Sequence, residues 1–343
     1  MKKQILKLIT GIATFALGIT PLMPAIQAAQ PHTVTDMDGQ QVKLPPKVNQ
    51  VADLWHANNE VVLLLGGQKK LVATTPMIKK TPWFKTVDPQ ITKVKSPFAG
   101  QEIQVEELLK TKPDVVIAAD PAQIKTAKEA KLPVVNAMFQ DFAGLRKSIK
   151  LTAQVLGGNA PQVAKHYLKT LDYNIQLVKH NLQKVQSRPT VLHIVGPTDL
   201  TKVDGTKTIV DEWIKLAGGK NAIQKSGNMI SVTSEELVKA NPSVIIIGQT
   251  STKHARQLLT KDARFKNLKA VKNHRVYGNP QGAFPWDRYS GEEALQILWA
   301  AKLLHPKQMQ KVDLTEETQN FYQKYYHYHL SNQQAHAILA GEE

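Results

Sequence analysis

Two segments of the chain share one order of hydrophobic and polar positions. Residues 105–117 (VEELLKTKPDVVI) recur 129 residues later as residues 234–246 (SEELVKANPSVII). Each copy predicts a short helix, a turn marked by proline and a strand whose continuous β-branched run is typical of burial on both faces. Repetition of one αβ unit predicts two similar lobes, and a cleft between two lobes indicates a bound ligand.

A third pattern lies between the two copies. From residue 160 to residue 185, apolar side chains recur every three or four positions, which predicts one long amphipathic helix of roughly 40 Å. A helix of that length can run from one lobe to the other. We therefore expect an N-terminal α/β lobe at 30–158, a bridging helix at 159–187 and a C-terminal α/β lobe with terminal helices at 188–343.

Shorter patterns predict the remaining elements. The hairpin at 34–42 turns at Asp38-Gly39, and a glycine pair follows the helix at 60–65. Strands are expected at 51–54, 71–74, 115–119, 134–135, 190–195, 244–247 and 275–278, and further helices at 208–216, 291–304 and 315–330. The predicted fold class is α/β, with two lobes of mainly parallel sheets joined by a single long α-helix.

The first 29 residues have the composition of an export signal. Three lysines precede an apolar run at 9–22, and the small residues Ala28 and Ala29 mark a cleavage site. An uncleaved membrane anchor is the alternative, because residues 5–26 are nearly long enough to span a bilayer. We expect an exported protein that is periplasmic, held at the cell surface or extracellular.

Charge and cysteine content narrow the possible partners. The chain has no cysteine, so we expect no disulfide, no thiolate metal site and no lipid-modified cysteine of a lipoprotein. The formal net charge of +16 favours an anionic cell-wall or membrane surface as a partner. No nucleic-acid-binding motif accompanies this charge, so we expect no nucleic-acid partner.

Motifs of common enzymes are missing from the sequence. There is no phosphate-binding loop, no dinucleotide fingerprint, no HExxH zinc motif and no nucleophile elbow. We therefore expect a binding protein without a catalytic site or a cofactor of its own.

Candidate ligand contacts come from loops that follow strands, because ligands of open α/β sheets bind outside the carboxyl ends of the strands. The candidates are Trp55, His56, Asn58, Asp120, Thr198, Trp286, Arg288 and Tyr289. Aromatic rings can stack on planar groups, Arg288 can pair with carboxylates, and His56 can also ligate a metal. Each of these residues can instead have a purely structural role: the tryptophans can cap lobe cores, His56 can be a hydrogen-bonded loop residue, and Arg288 can pair with Asp287 or Glu292.

The ordered set of motifs resembles the substrate-binding proteins of bacterial ABC importers for iron–siderophore complexes, haem and vitamin B12. The resemblance covers nearly the whole chain after the signal. It rests on 34–42, 66–67, 106–117, 160–185, 209–219, 232–247, 262–276, 286–306 and 321–339. It implies two lobes bridged by one helix, a ligand between them, and an ABC permease with its ATPase as partners of a monomer.

The resemblance also implies roles for two acids of the repeat. Glu106 and Glu235 match the pair, one per lobe, that docks on arginines of the permease; ordinary acids at helix starts are the alternative. The implied ligand is a metal chelate: a ferric siderophore first, with haem, cobalamin or a nickel chelate as alternatives. A surface or wall-binding adhesion protein and a chelatase-like enzyme are the competing functions. One departure is the missing lipobox cysteine, which Gram-positive members of this family usually carry.

Overall fold

The structure is a computed structural model that describes residues 31–342, so the predicted export signal lies outside the described residues. A hairpin opens the described chain, and its turn uses Gly39 at a φ of 79°, which favours glycine. The N-terminal lobe contains β1 (His32–Thr35), β2 (Gln41–Leu44), β3 (Val51–Asp53), α1 (His56–Leu64), β4 (Leu71–Ala73), α2 (Pro76–Lys80), α3 (Pro82–Val87), β5 (Phe98–Ala99), β6 (Glu102–Ile103), α4 (Val105–Lys110), β7 (Val115–Ala118), α5 (Pro121–Glu129), β8 (Val134–Asn136) and α6 (Phe142–Leu156).

The sheet of this lobe has the strand order β4-β3-β7-β8, and all its pairs are parallel. Every residue of β7 is buried, as the continuous apolar run predicts for a strand covered on both faces. The chain leaves β3 toward β4 on one side and returns as β7 on the other. The carboxyl ends of β3 and β7 therefore meet at a topological switch point, where ligands of such sheets bind.

The predicted long helix is α7 (Ala160–Leu182), which spans about 35 Å at 1.5 Å per residue. Its buried stripe includes Tyr167, Leu171 and Val178, and it packs against α6 on the N-terminal side. The amide of Asn174 donates a 2.8 Å hydrogen bond to the carbonyl of Ala294 in the C-terminal lobe. One helix thus contacts both lobes.

The C-terminal lobe repeats the parallel αβ pattern and adds two antiparallel strands. It contains β9 (Thr190–Ile194), β10 (Lys202–Val203), α8 (Ile209–Leu216), β11 (Lys220–Asn221), β12 (Ile230–Ser231), α9 (Ser234–Ala240), β13 (Val244–Ile247), α10 (Thr252–Lys261), α11 (Lys269–Lys272), β14 (Val276–Gly278), α12 (Glu293–Leu304), α13 (Leu314–Phe321) and α14 (Asn332–Leu339). Its sheet has the order β12-β10-β9-β13-β14, with β11 beside β9. The strands β9, β11, β13 and β14 pair in parallel.

The predicted α/β fold class is confirmed, and two helix predictions are corrected. Helix α1 begins at His56 rather than at residue 60. The helix predicted at 315–330 ends earlier, because a π-helical turn at Tyr322–Tyr326 leads into His327 at a left-handed φ of 54°. The aromatic residues keep a helical spacing through this turn, so nothing in the sequence indicates that the helix ends there.

A single apolar core runs through both lobes and along α7. Residues as distant in sequence as Val51 and Trp213 belong to it, and smaller clusters cover the outer face of each sheet. The lobes are therefore packed on each other rather than linked by a flexible segment. Within residues 31–342, no helix combines the length and apolar character needed to cross a bilayer.

Candidate ligand-binding cleft

The turn after β3 is held by a buried carboxyl group. Asp53 accepts hydrogen bonds from the backbone N–H of Trp55 at 3.2 Å and from the amide of Asn58 at 2.8 Å. Burial raises the pKa of Asp53 to about 8, despite these bonds. The turn presents Trp55 and His56 at the carboxyl end of the strand, at the start of α1.

Three aromatic rings from different elements meet below this turn. Trp55 lies 5.7 Å from Phe139 and 5.7 Å from Tyr289, and Phe139 lies 5.5 Å from Tyr289, measured between ring centroids. The tilted and edge-on arrangements are those that aromatic pairs favour. Because Tyr289 belongs to the C-terminal lobe, this aromatic cluster joins the two lobes.

The ring of His56 stacks on Phe284 of the C-terminal lobe, at a centroid distance of 5.6 Å. Burial lowers the pKa of His56, because the charged imidazolium is poorly solvated there. The imidazole is therefore neutral at neutral pH. A neutral imidazole has a lone pair available for a transition metal.

A cavity of about 440 Å³ opens beside these residues at the carboxyl ends of β3, β4 and β7. Its lining includes Trp55, His56, Met77, Gln101 and Asp120, and contains no lysine or arginine. Met77 is 40% exposed, and its thioether is a soft donor. Asp120 caps α5 by accepting the N–H of Gln123 at 2.9 Å, which fixes one carboxylate oxygen.

A second cavity, of about 150 Å³, adjoins the first, since Met77 lines both. It lies between the lobes, with Thr81 and Trp83 on one side and Gln249 and Gln281 on the other. The two cavities together form the cleft, and each lobe contributes polar side chains to it. Among residues 31–342, no group of three or more His, Cys, Asp or Glu side chains is arranged to hold a metal ion.

Arg288 does not reach the cleft. Its guanidinium lies in the C-terminal lobe, 2.9 Å from Asp204 and 3.2 Å from Asp287, and His193 contacts the same two carboxylates at 2.8 and 3.0 Å. Burial alone would lower the pKa of His193, but its bonds to Asp204 and Asp287 raise it. Burial would likewise raise the pKa of both carboxyl groups, but Arg288 and His193 lower them. Arg288 and His193 therefore hold both carboxylates in one buried tetrad.

Two further carboxyl groups are buried where the lobes meet. Glu60 of α1 accepts the N–H of Gly291 at 2.6 Å and the hydroxyl of Tyr326, and Glu292 accepts the hydroxyl of Tyr322 at 2.6 Å. Burial raises the pKa of both glutamates, and the proximity of Glu60 raises that of Glu292 further. The bonds of Glu60 connect α1 of the N-terminal lobe to Gly291 and Tyr326 of the C-terminal lobe.

Among the residues predicted to contact ligand, Trp55, His56 and Asp120 line the larger cavity of the cleft. Tyr289 does not line it but packs against Trp55 in the aromatic cluster. Asn58 is fully buried and bonded to Asp53 and Thr152, so its expected ligand contact is corrected. Trp286 is fully buried and is a core residue. Thr198 is exposed, and the two cavities of the cleft do not include it.

The sequence predictions missed Met77, Gln249 and Gln281. A signal for Gln249 was present: it stands 129 residues after Asp120, at the matching position of the repeat, just past the carboxyl end of β13. Met77 also lies just past the carboxyl end of a strand, β4, where ligand contacts are expected. A lone methionine or glutamine in a loop carries no other mark of ligand contact.

The two acids predicted to dock on a permease are exposed, one on each lobe. Their neighbours in the repeat are engaged internally: Glu107 pairs with Lys110 at 2.6 Å, and Glu236 pairs with Lys225 and completes a capping box with Thr233. Within the described chain, Glu106 and Glu235 form no salt bridge. The pKa of Glu235 is lowered by its own backbone N–H and by the Thr233 hydroxyl.

A family model for periplasmic binding proteins matches residues 51–283, and the chain belongs to this family. It is a substrate-binding protein of the type that serves ABC transporters. The chain is 26% identical over 330 residues to the molybdate-binding protein MolA of Haemophilus influenzae, covering 88% of this chain and 93% of MolA. It is 27% identical over 210 residues to the haem uptake protein IsdE of Staphylococcus aureus, covering 59% and 72%.

Solved structures agree with the fold. A periplasmic solute-binding protein of Veillonella parvula superposes with a TM-score of 0.77 at 27% identity, covering 91% of this chain and 97% of that one. The ligands named for MolA and IsdE differ, one being molybdate and the other haem. Membership of the family therefore defines the class of protein but does not identify the ligand, which has to be inferred from the chemistry of the cleft.

Proposed function

We propose that this chain captures a metal chelate outside the cytoplasm and delivers it to an ABC importer, as a monomer and without a catalytic step. The observation that carries the proposal is that the neutral His56 imidazole and the exposed Met77 thioether line one cavity without cationic side chains. Imidazole and thioether are donors that transition metals accept. Because the described residues include no group of three or more His, Cys, Asp or Glu side chains arranged to hold a metal ion, the remaining donors would come with the chelate.

The same cavity favours some chelates over others. An anionic ferric siderophore would call for cations, but Arg288 is neutralised by Asp204 and Asp287 away from the cleft. The lining instead suits a chelate that leaves a coordination position open to an imidazole, as haem or a nickel chelate does. We therefore place these two ahead of the ferric siderophore and of cobalamin.

A binding screen tests this proposal. Tryptophan fluorescence is titrated with haemin, nickel–histidine, cyanocobalamin, a ferric catecholate siderophore and molybdate. Haemin or nickel–histidine should bind one to one, and His56→Ala should weaken that binding by at least about tenfold. His254→Ala is the matched control, because His254 is exposed on α10 and lines neither cavity of the cleft. Tight binding of molybdate alone, unchanged in His56→Ala, would refute the metal chelate and leave the transport role intact.

We also propose that Glu106 and Glu235 dock on basic residues of the permease. The support is their exposure, their lack of a salt bridge within the described chain and their matching positions on the two lobes. Changing both to lysine should abolish uptake while ligand affinity stays as in the wild type. Normal uptake by this double variant would exclude the docking role.

Attachment to an anionic surface is a second candidate, favoured by one observation. A depression of about 620 Å³ at the outer edge of the N-terminal sheet is lined by Lys69, Lys93, Lys95 and Lys110, against the single acid Glu107. It lies apart from the cleft and shares no lining residue with either of its cavities. Salt-sensitive retention on anionic vesicles or wall polymer, with no small ligand bound in the screen, would favour this candidate.

A further inference from the structure

Four large apolar side chains are markedly exposed among residues 31–342: Met77, Leu109, Tyr173 and Val238. Met77 belongs to the ligand-binding cleft. Leu109 is 43% exposed and Val238 is 48% exposed, and they stand 129 residues apart, at the same position of the repeated αβ unit. A single exposed leucine needs no explanation, but the same exposure at equivalent places on two lobes does.

The equivalence holds in three dimensions as well as in sequence. Helix α4 precedes β7, which lies between β3 and β8, and helix α9 precedes β13, which lies between β9 and β14. Leu108 and Leu237, the preceding residues, are 0% and 1% exposed and fix each helix against its sheet. The two helices are thus held in the same rotation, and each turns its next residue outward.

Each apolar residue shares its helix face with an acid. Glu106 precedes Leu109 by three positions, and Glu235 precedes Val238 by three, a spacing that places side chains side by side. The other acid of each helix is paired internally, Glu107 with Lys110 and Glu236 with Lys225. Each lobe therefore presents, side by side, one carboxylate that forms no salt bridge within the described chain and one apolar side chain.

We propose that Leu109 and Val238 are the apolar anchors of the interface with the permease, one per lobe, each packing beside the contact of its glutamate. The partner that covers these residues is a permease surface with two-fold symmetry. Each of its two halves offers a basic residue next to an apolar pocket. Charge complementarity and the duplicated acid–apolar pair point to this partner. Buried apolar residues ringed by polar contacts are the usual source of affinity in protein interfaces, while exposed charges steer association. This inference rests on the docking role proposed above.

The test measures binding to the permease–ATPase complex in nanodiscs across a range of salt concentrations. The double variant Leu109→Ser/Val238→Ser should bind about tenfold or more weakly through faster dissociation, with the salt dependence unchanged. Glu106→Gln/Glu235→Gln should instead slow association and flatten the salt dependence. Tyr173→Ser is the matched control, since Tyr173 is 64% exposed on α7, outside both docking helices, and should bind as the wild type.

The outcomes separate the two proposals. If the serine double variant binds as the wild type while the glutamine double variant fails, the apolar anchors are refuted and docking stands. If both double variants bind as the wild type, the docking role itself fails. If the serine variant changes only self-association of this chain, a second copy is the occupant and the inference is wrong. Unchanged ligand affinity and melting temperature confirm that each variant is folded.

Discussion

Arg288 is a buried charged side chain of the C-terminal lobe that two carboxylates hold in place. It is 5% exposed and is held by Asp204 and Asp287, which in turn hold His193. Removing one partner of a buried ion pair leaves the other charges desolvated and uncompensated. The tetrad therefore acts as a structural unit, and its integrity should govern stability rather than ligand affinity.

The first prediction concerns this residue. Arg288→Met should lower the free energy of unfolding by about 3–5 kcal/mol, because two buried carboxylates lose their permanent cation. Chemical denaturation measures the change. Arg264→Met is the control: Arg264 pairs with Asp262 at the surface and should matter little. A stability of Arg288→Met equal to that of the control would show that the tetrad does not stabilise the fold.

The same residue shows where sequence reasoning reaches its limit. The pairing of Arg288 with neighbouring Asp287 was one of the alternatives, but Asp204 stands 84 positions away and no pattern connects them. Asn58 was predicted at the cleft because it follows a strand, yet its side chain turns inward to Asp53 and Thr152. Direction of a side chain depends on its partners in the fold, which sequence spacing does not reveal. Trp55, His56 and Asp120 lie directly after β3 and β7 or within three residues of them, where the strand ends bring them to the cavity.

At the scale of elements, α7 carries the connection between the lobes. Its apolar stripe could be predicted because a long helix shows many repeats of one period. The strands β7 and β13 could be predicted because they are uninterrupted apolar runs. Helix α6 packs beside α7 and was not predicted, and the π-helical turn at Tyr322–Tyr326 was missed as well. Short or interrupted elements give too few repeats of a period to be recognised.

The second prediction is made for α7. Leu171 is fully buried on the stripe that faces the core, so Leu171→Ala should leave a cavity and lower the free energy of unfolding by about 2–5 kcal/mol. Lys169→Ala on the exposed side of the same helix is the control and should cost little. Denaturant unfolding of both variants gives the comparison. Equal stability of the two would mean that the stripe of α7 is not packed as described.

At the scale of the whole molecule, buried carboxyl groups join the lobes. Burial raises the pKa of Glu60 to about 7 and that of Glu292 to about 8, above about 4.3 for an unfolded glutamate. Between these values the folded state holds more protons than the unfolded state, so stability falls as the pH rises. Asp53 and His193 add to the same trend, because their pKa values in the folded state are raised too.

The third prediction follows from this linkage. The melting temperature should fall between pH 5.5 and pH 8.5, and Glu60→Gln/Glu292→Gln should flatten that fall, because a glutamine has no proton to lose. Glu129→Gln, an exposed acid on α5, is the control and should keep the dependence of the wild type. Thermal unfolding at several pH values provides the measurement. A melting temperature that rises with pH in the wild type would contradict the assignment of these groups.

The central claim is that the cleft holds a metal chelate through His56, and a crystal structure of the loaded protein tests it most directly. The account predicts that the metal of bound haemin or nickel–histidine lies within coordination distance of an imidazole nitrogen of His56, about 2.0–2.1 Å by analogy with zinc, with Met77 and Asp120 lining the same cavity. A ligand found in the lysine-lined depression, or an oxyanion in the cleft without contact to His56, would contradict it.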